Sequence, residues 1–174
     1  MANDFWDFSL AVYASPGVEG ECLALQDQFG IDVNLLLFAA YMGGHGIVLS
    51  RDDMAQTSAL VDAWQRQVVM PLRGVRRATK PMLQSPPGSA GKPIEALRNK
   101  VKAIELESER IEQDLLDEWA RTCARLEACS DIAAAIRGNI GLLLEFSGAA
   151  GRGARSPATL IAASLAAAKS AGAA

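Results

Sequence analysis

Two groups of residues in this chain have types and spacings that could do chemistry. Arg73, Arg76, Arg77 and Lys80 recur at three- and four-residue intervals, which puts four cations on one face of a helix. Such a face suits a phosphate or a carboxylate. Gln26, Asp27, Asp32 and Asn34 form the second group and sit in the most apolar part of the N-terminal half. Burying that stretch obliges the fold to supply hydrogen-bond partners for them. If the two groups converge, with Trp6 and Trp64 as apolar walls, they make a pocket for a small anion. The competing reading pairs the arginines with acids of the turn or of a downstream helix. Asp27 and Asp32 could act as an acid–base pair only beside a cavity; otherwise Asp32 is a helix N-cap and Asp27 a buried hydrogen-bond acceptor.

Other chemistries are poorly supplied. The chain has one histidine, His45, and three cysteines, Cys22, Cys123 and Cys129, with no C-x-x-C pair. This predicts no metal site and no cofactor, and it suits a reducing compartment. Gly43-Gly44-His45-Gly46 matches no phosphate loop and reads as a flexible surface turn. Cys22 falls on a core-facing helical position, which predicts an inert thiol. The sequence pI is about 5.2, and the basic cluster holds no aromatic residue to stack a base, so nucleic acid is disfavoured. The first residues are acidic where a leader would be basic, and the longest apolar run, Leu35 to Met42, is far short of the roughly 20 residues that span a bilayer. A cytoplasmic protein without a membrane span is the expectation.

The elements that must position these groups are helical. Half of the 174 residues are hydrophobic, helix formers dominate, and period-2 alternation is absent, so the fold class is an all-α, single-domain bundle without strands. A first helix begins near Asp4. Ser15-Pro16 starts a second, with Ser15 as N-cap, and Gly30 ends it. Asp32 caps a third, nearly apolar helix over about Val33 to Met42. Ser50 and Asp53 form a capping box for a fourth, which Pro71 kinks or restarts. Residues 81–93 are a Pro/Gly-rich linker. Ile94, Leu97, Val101, Ile104, Ser108, Ile111 and Leu115 then follow heptad spacing, predicting one long helix over 94–128 whose seam is buried in the bundle or against a partner. Ser130 can cap a further helix over about Asp131 to Phe146. The bundle is assigned to 1–146, and 147–174 to a linker and a weak, Ala-rich, disorder-prone helical tail.

Charge is arranged in blocks. Residues 1–63 carry nine acids and one base, 64–102 nine bases and one acid, and 103–131 nine acids and three bases. Blocks of opposite sign can complement one another within the fold or between copies of it. In particular, Glu105, Glu107, Glu109, Glu112 and Asp114 could lie along the basic block.

Phe5-Trp6-x-Phe8-Ser9-Leu10, Tyr13, Pro16-Gly17-Val18, Cys22-Leu23, Leu25-Gln26-Asp27, Gly30 and Asp32 through Phe38 form one pattern. It continues in Pro71-Leu72-Arg73, Arg76-Arg77, Glu105-Leu106-Glu107 and Glu109-Arg110. The chain thereby resembles, over about residues 4–120, a family of small proteobacterial proteins of unknown function. The resemblance implies a bacterial helical protein and brings no catalytic residue.

With no catalytic set assembled, the functional expectation is a non-catalytic binding or protein-interaction module, with a protein partner or homo-oligomer through the long helix 94–128. The alternative is an enzyme or carrier binding a small anionic ligand at Arg73, Arg76 and Arg77 beside the Gln26–Asn34 turn.

Overall fold

A computed structural model describes residues 4–85, 87–123 and 126–171. They form a single helical domain: α1 (Asp4–Tyr13), α2 (Val18–Phe29), α3 (Val33–Gly44), α4 (Arg51–Trp64), α5 (Met70–Thr79), α6 (Gly91–Thr122), α7 (Ile132–Phe146) and α8 (Ala158–Ala171). Among the described residues no helix is long and apolar enough to cross a membrane.

Helix α3 is the centre, because its apolar residues cover its whole circumference and every residue from Asn34 to Gly43 is buried. It lies along α7 and is flanked by α1, α6 and α8. Its start is fixed as its sequence requires: Gly30 ends α2 with φ of 73°, and the Asp32 carboxylate accepts from the Asn34 backbone N–H at 2.9 Å. Phe5, Phe38 and Trp119 meet edge-on at the α1–α3–α6 junction.

Several expectations change. Helix α2 begins at Val18 after a left-handed Gly17, so Ser15 is not its cap; the Ser15 hydroxyl donates instead to the Ala11 carbonyl of α1. Helix α7 is capped by Asp131, whose carboxylate accepts from Ala134 N–H, and not by Ser130. A two-residue antiparallel pair, β1 (Ile47–Val48) with β2 (Glu127–Ala128), is a strand that alternation did not announce. Asn139, fully buried on α7, donates to the carbonyls of Ala39 and Ile47 and accepts from Leu49 N–H, pinning the strand between α3 and α7. Of the glycine stretch before it, only His45 and Gly46 form a turn, with Gly46 at φ of 71°, and Gly43 and Gly44 belong to α3. Gly43 is helical and buried, and a Cβ there would stand 2.5 Å from the Ile136 Cα and N; the residue is glycine because two helix backbones touch.

Pro71 stands in the first turn of α5, where the α-helix resumes after a π-helical stretch. The five residues Gln65–Val69 make a π-turn closed by Met70 N–H to Gln65 C=O, and the chain runs helically from α4 into α5. A proline ring collides with the carbonyl four residues back, and a π-turn just ahead of it displaces that carbonyl.

The long helix departs furthest from expectation. It is α6, ending at Thr122, and Glu127 and Ala128 belong to β2; residues 124 and 125 lie outside the described residues. Only one of the two lines of the heptad seam faces inward, Ser108 being buried and Ile94, Val101 and Leu115 partly buried. Glu105, Ser108, Glu112, Gln113, Leu116 and Asp117 are buried, whereas Leu97, Ile104 and Ile111 are 52%, 49% and 45% exposed. Inward orientation is decided by α3 and α5, which present hydrogen-bonding groups that only the polar side of α6 can satisfy. Nor is the alanine-rich tail a loose appendage. Leu160 and Ser164 of α8 are fully buried against α1, α2, α3 and α7, and the Glu21 carboxylate accepts from the Thr159 and Leu160 N–H groups at its N-terminus. Residues 172–174 lie outside the described residues.

Gly43→Ala is expected to lower unfolding free energy by about 1–3 kcal/mol, the usual range for forcing a methyl group into a closed contact. Gly138→Ala, where an added Cβ meets nothing within 4 Å, is expected to stabilise the same helix pair by about 0.5–1 kcal/mol. Urea unfolding of both variants checks this; equal stabilities would contradict the close-packing reading.

Candidate functional site

Between α1, α2, α5 and α6, with the first turns of α3 as its floor, lies a cleft of about 510 Å³. Its lining includes Trp6, Gln26, Asp27, Asn34, Arg73, Arg76, Arg77 and Lys80, so eight of the ten residues singled out in the sequence come together. Two do not. Trp64 stands outside and donates its indole N–H to the Ser108 carbonyl at 2.9 Å, bonding α4 to α6. Asp32 lies behind the floor, spent on the α3 cap.

The arginines are paired. Arg73 Nε donates to Glu105 Oε1 at 3.1 Å and its Nη2 to Glu109 Oε1 at 2.5 Å, while its Nη1 donates to the Gln26 side-chain oxygen. Arg76 holds the same Glu105 through two nitrogens. Arg77 pairs with Asp27 at 2.6 Å, both about half exposed, so Asp27 is a surface ion-pair partner and not the buried acceptor expected. The α6 carboxylates thus answer the α5 bases within one chain. Helical spacing explains the match: Glu105 and Glu109 are four apart on α6, Arg73 and Arg76 three apart on α5, so each pair shares a face.

This pairing sets the protonation states. Burial works against the Glu105 carboxylate, but the hydrogen bonds from Arg76 and Arg73 outweigh it and hold Glu105 below the ordinary carboxylate range. At Glu109 burial wins over Arg73, and its carboxyl is raised. One turn deeper, burial and the neighbouring Asp32 charge push Glu112 up to about 10. Its Oε2 accepts from Asn34 Nδ2 at 3.1 Å, and its Oε1 receives no donor. A neutral carboxyl solves that problem, because Oε1 then carries the proton and donates it to Asp32. The Asn34 side-chain oxygen in turn accepts from Gln113 Nε2 at 2.9 Å, completing a chain from Asp32 through Glu112 and Asn34 to the cleft wall. Cys22, the other candidate reactive group, is pushed up to about 12 by burial and is an inert thiol.

What the cleft leaves unused lies elsewhere on its wall. Ser9 Oγ, Gln113 Oε1 and Arg98 Nε are buried and without a partner, and all three residues line the cleft. Lys80, Arg98 and Lys102 also line it and make no salt bridge among the described residues. Leu10, Leu23 and Leu106, each exposed, form an apolar rim beside Trp6, whose ring faces Arg110 at 5.4 Å. Sequence reasoning missed Ser9, Arg98, Lys102 and Gln113. Arg98 and Lys102 lay in the basic block; Ser9 and Gln113 carried no local signal. Among the described residues no group of three His, Cys, Asp or Glu side chains is placed to hold a metal ion.

The raised Glu112 has a definite pH signature. Its proton is bound in the folded chain from the ordinary value of 4.5 up to about 10, so stability from this group is full below 4.5 and declines as pH rises across that window. Glu105, lowered, runs the other way and loses its contribution as pH falls through its folded value. Glu112→Gln, an isostere of the neutral acid, is therefore expected to match the parent near pH 4.5 and exceed it in stability at pH 8. Urea unfolding at both pH values tests this; a variant less stable than the parent at pH 8 would mean that Glu112 is ionised.

No curated protein and no solved structure matches the chain. A family model described as a protein of unknown function, DUF2390, matches residues 4–116. That span contains every residue lining the cleft, the last being Gln113, and ends before α7 and α8. The chain belongs to this family of unknown function, DUF2390.

Proposed function

We propose that this chain is a non-catalytic binding protein whose cleft holds a small amphipathic anion. The observation that carries the reading is the set of bases on the wall, Lys80, Arg98 and Lys102, that make no salt bridge among the described residues. The lining carries six bases and four acids; three bases are committed to acids, and Lys80, Arg98 and Lys102 remain to favour a carboxylate or phosphate. Trp6, Leu10, Leu23 and Leu106 offer the apolar surface for its body.

The arginines take a different part from the one their spacing suggested. Arg73, Arg76 and Arg77 are framework, since each already pairs with an acid, Glu105 and Glu109 for Arg73, Glu105 for Arg76 and Asp27 for Arg77. The head group belongs instead to Arg98 and Lys102 on α6 and Lys80 beyond α5. Supporting a binding role, three of the four carboxylates that line the cleft, Asp27, Glu105 and Glu109, are bridged to arginine.

Decanoate, which joins a carboxylate to an apolar body, is a suitable probe. At a hundredfold excess over Kd it is expected to stabilise by about 2.7 kcal/mol, a rise in melting temperature of roughly 5–10 °C for a chain of this size. Acetate, lacking the body, should give far less. Arg98→Met with Lys102→Met should abolish the shift, and Arg77→Ala should keep it. No shift with decanoate, or a shift that survives the double substitution, overturns the reading.

A further inference from the structure

Turning the polar side of α6 inward leaves Leu97, Ile104 and Ile111 on its outer side at intervals of seven residues, each about half exposed. Seven residues are nearly two helical turns, so the three lie in one stripe. Beside them, on the flank away from the buried face, stand Lys100 and Glu107, both exposed and again seven apart. We propose that this stripe is a self-association surface, on which α6 of a second copy of the chain packs antiparallel about a two-fold axis passing near Ile104.

The occupant follows from the symmetry of the pattern. An axis at Ile104 sets Ile104 against Ile104 of the partner subunit and Leu97 against the partner's Ile111. The same axis brings Lys100 within one residue's rise, about 1.5 Å, of the partner's Glu107 on the same flank, and its symmetry mate does the same for Glu107 and the partner's Lys100, giving two ion pairs. A parallel arrangement would set each Lys100 against the partner's opposite flank, the one that carries Glu105, whose carboxylate is buried and held by Arg73 and Arg76 of its own chain, so no ion pairs would form. Both the apolar residues and the charges are therefore complementary to themselves in one orientation only, the property a two-fold interface requires. The surface lies apart from the cleft, and its test is independent of any ligand.

Sedimentation velocity of the full chain, run over a concentration series, reads the outcome. The parent is expected to reach twice the 18.4 kDa chain mass at high concentration. Ile104→Glu, at a site already half open to solvent, should raise the dissociation constant by at least roughly tenfold with unchanged helical circular dichroism. Lys100→Glu alone should weaken the dimer, Glu107→Lys alone should do the same, and the double exchange should restore it, because the pairs re-form with signs reversed. A parent that stays monomeric throughout overturns the proposal. So does a dimer indifferent to Ile104→Glu, or a double exchange no better than either single one.

Discussion

The interior of this bundle is organised by carboxylates that must be answered. Glu105 of α6 is almost wholly buried, and it is held there by Arg73 and Arg76 of α5. Glu109 shares Arg73, and Glu112 escapes the cost of a buried charge by keeping its proton. A buried ion pair adds little net stability over a well-packed apolar one, but removing one partner costs about 3–5 kcal/mol, because the other is left charged and dry. The network therefore acts on arrangement: any rotation of α6 that exposed its apolar seam to α3 would strand two arginines and the Asn34 amide. Only one rotation satisfies them all.

That single rotation has consequences on both sides of the helix. Inward, it builds a cleft whose framework is closed by salt bridges and whose wall also carries Lys80, Arg98 and Lys102. Outward, it leaves a heptad stripe with no helix of its own chain to cover it. Cleft and outer stripe are two faces of one choice, and the family match over 4–116 takes in both. Helices α7 and α8 complete the packing around α3, reaching it through the Gly43 contact and the Asn139 bonds, and contribute nothing to the cleft lining.

Much of this was legible locally. Asp32, Gly30 and the Ser50–Asp53 box announced their caps because capping depends on neighbouring backbone alone. The helical spacing of Arg73, Arg76, Arg77 and Lys80 and the polar turn at Gln26–Asn34 located the cleft. What failed depended on long-range pairing. The seam of α6 follows a perfect coiled-coil period, yet which side faces inward is set by Arg73 and Asn34, distant in the chain. Gly43 read as a mobile loop because only the position of Ile136 reveals why a side chain is forbidden there. Asp27 read as buried because nothing nearby in sequence marks Arg77 as its exposed partner. Ser9 and Gln113 are unremarkable residues until the fold leaves them without partners.

The central claim is that the Arg73–Glu105 bridge holds α6 with its polar side inward. A double-mutant cycle of Arg73→Gln and Glu105→Gln, read by urea unfolding at pH 7, tests it most directly. Each single change should be destabilising, and the double change should cost less than their sum by at least about 1 kcal/mol, within the range seen for residues in one buried network. Costs that simply add, within about 0.3–0.5 kcal/mol, would mean that the two side chains do not depend on each other, and the inward-facing arrangement of α6 would fall with them.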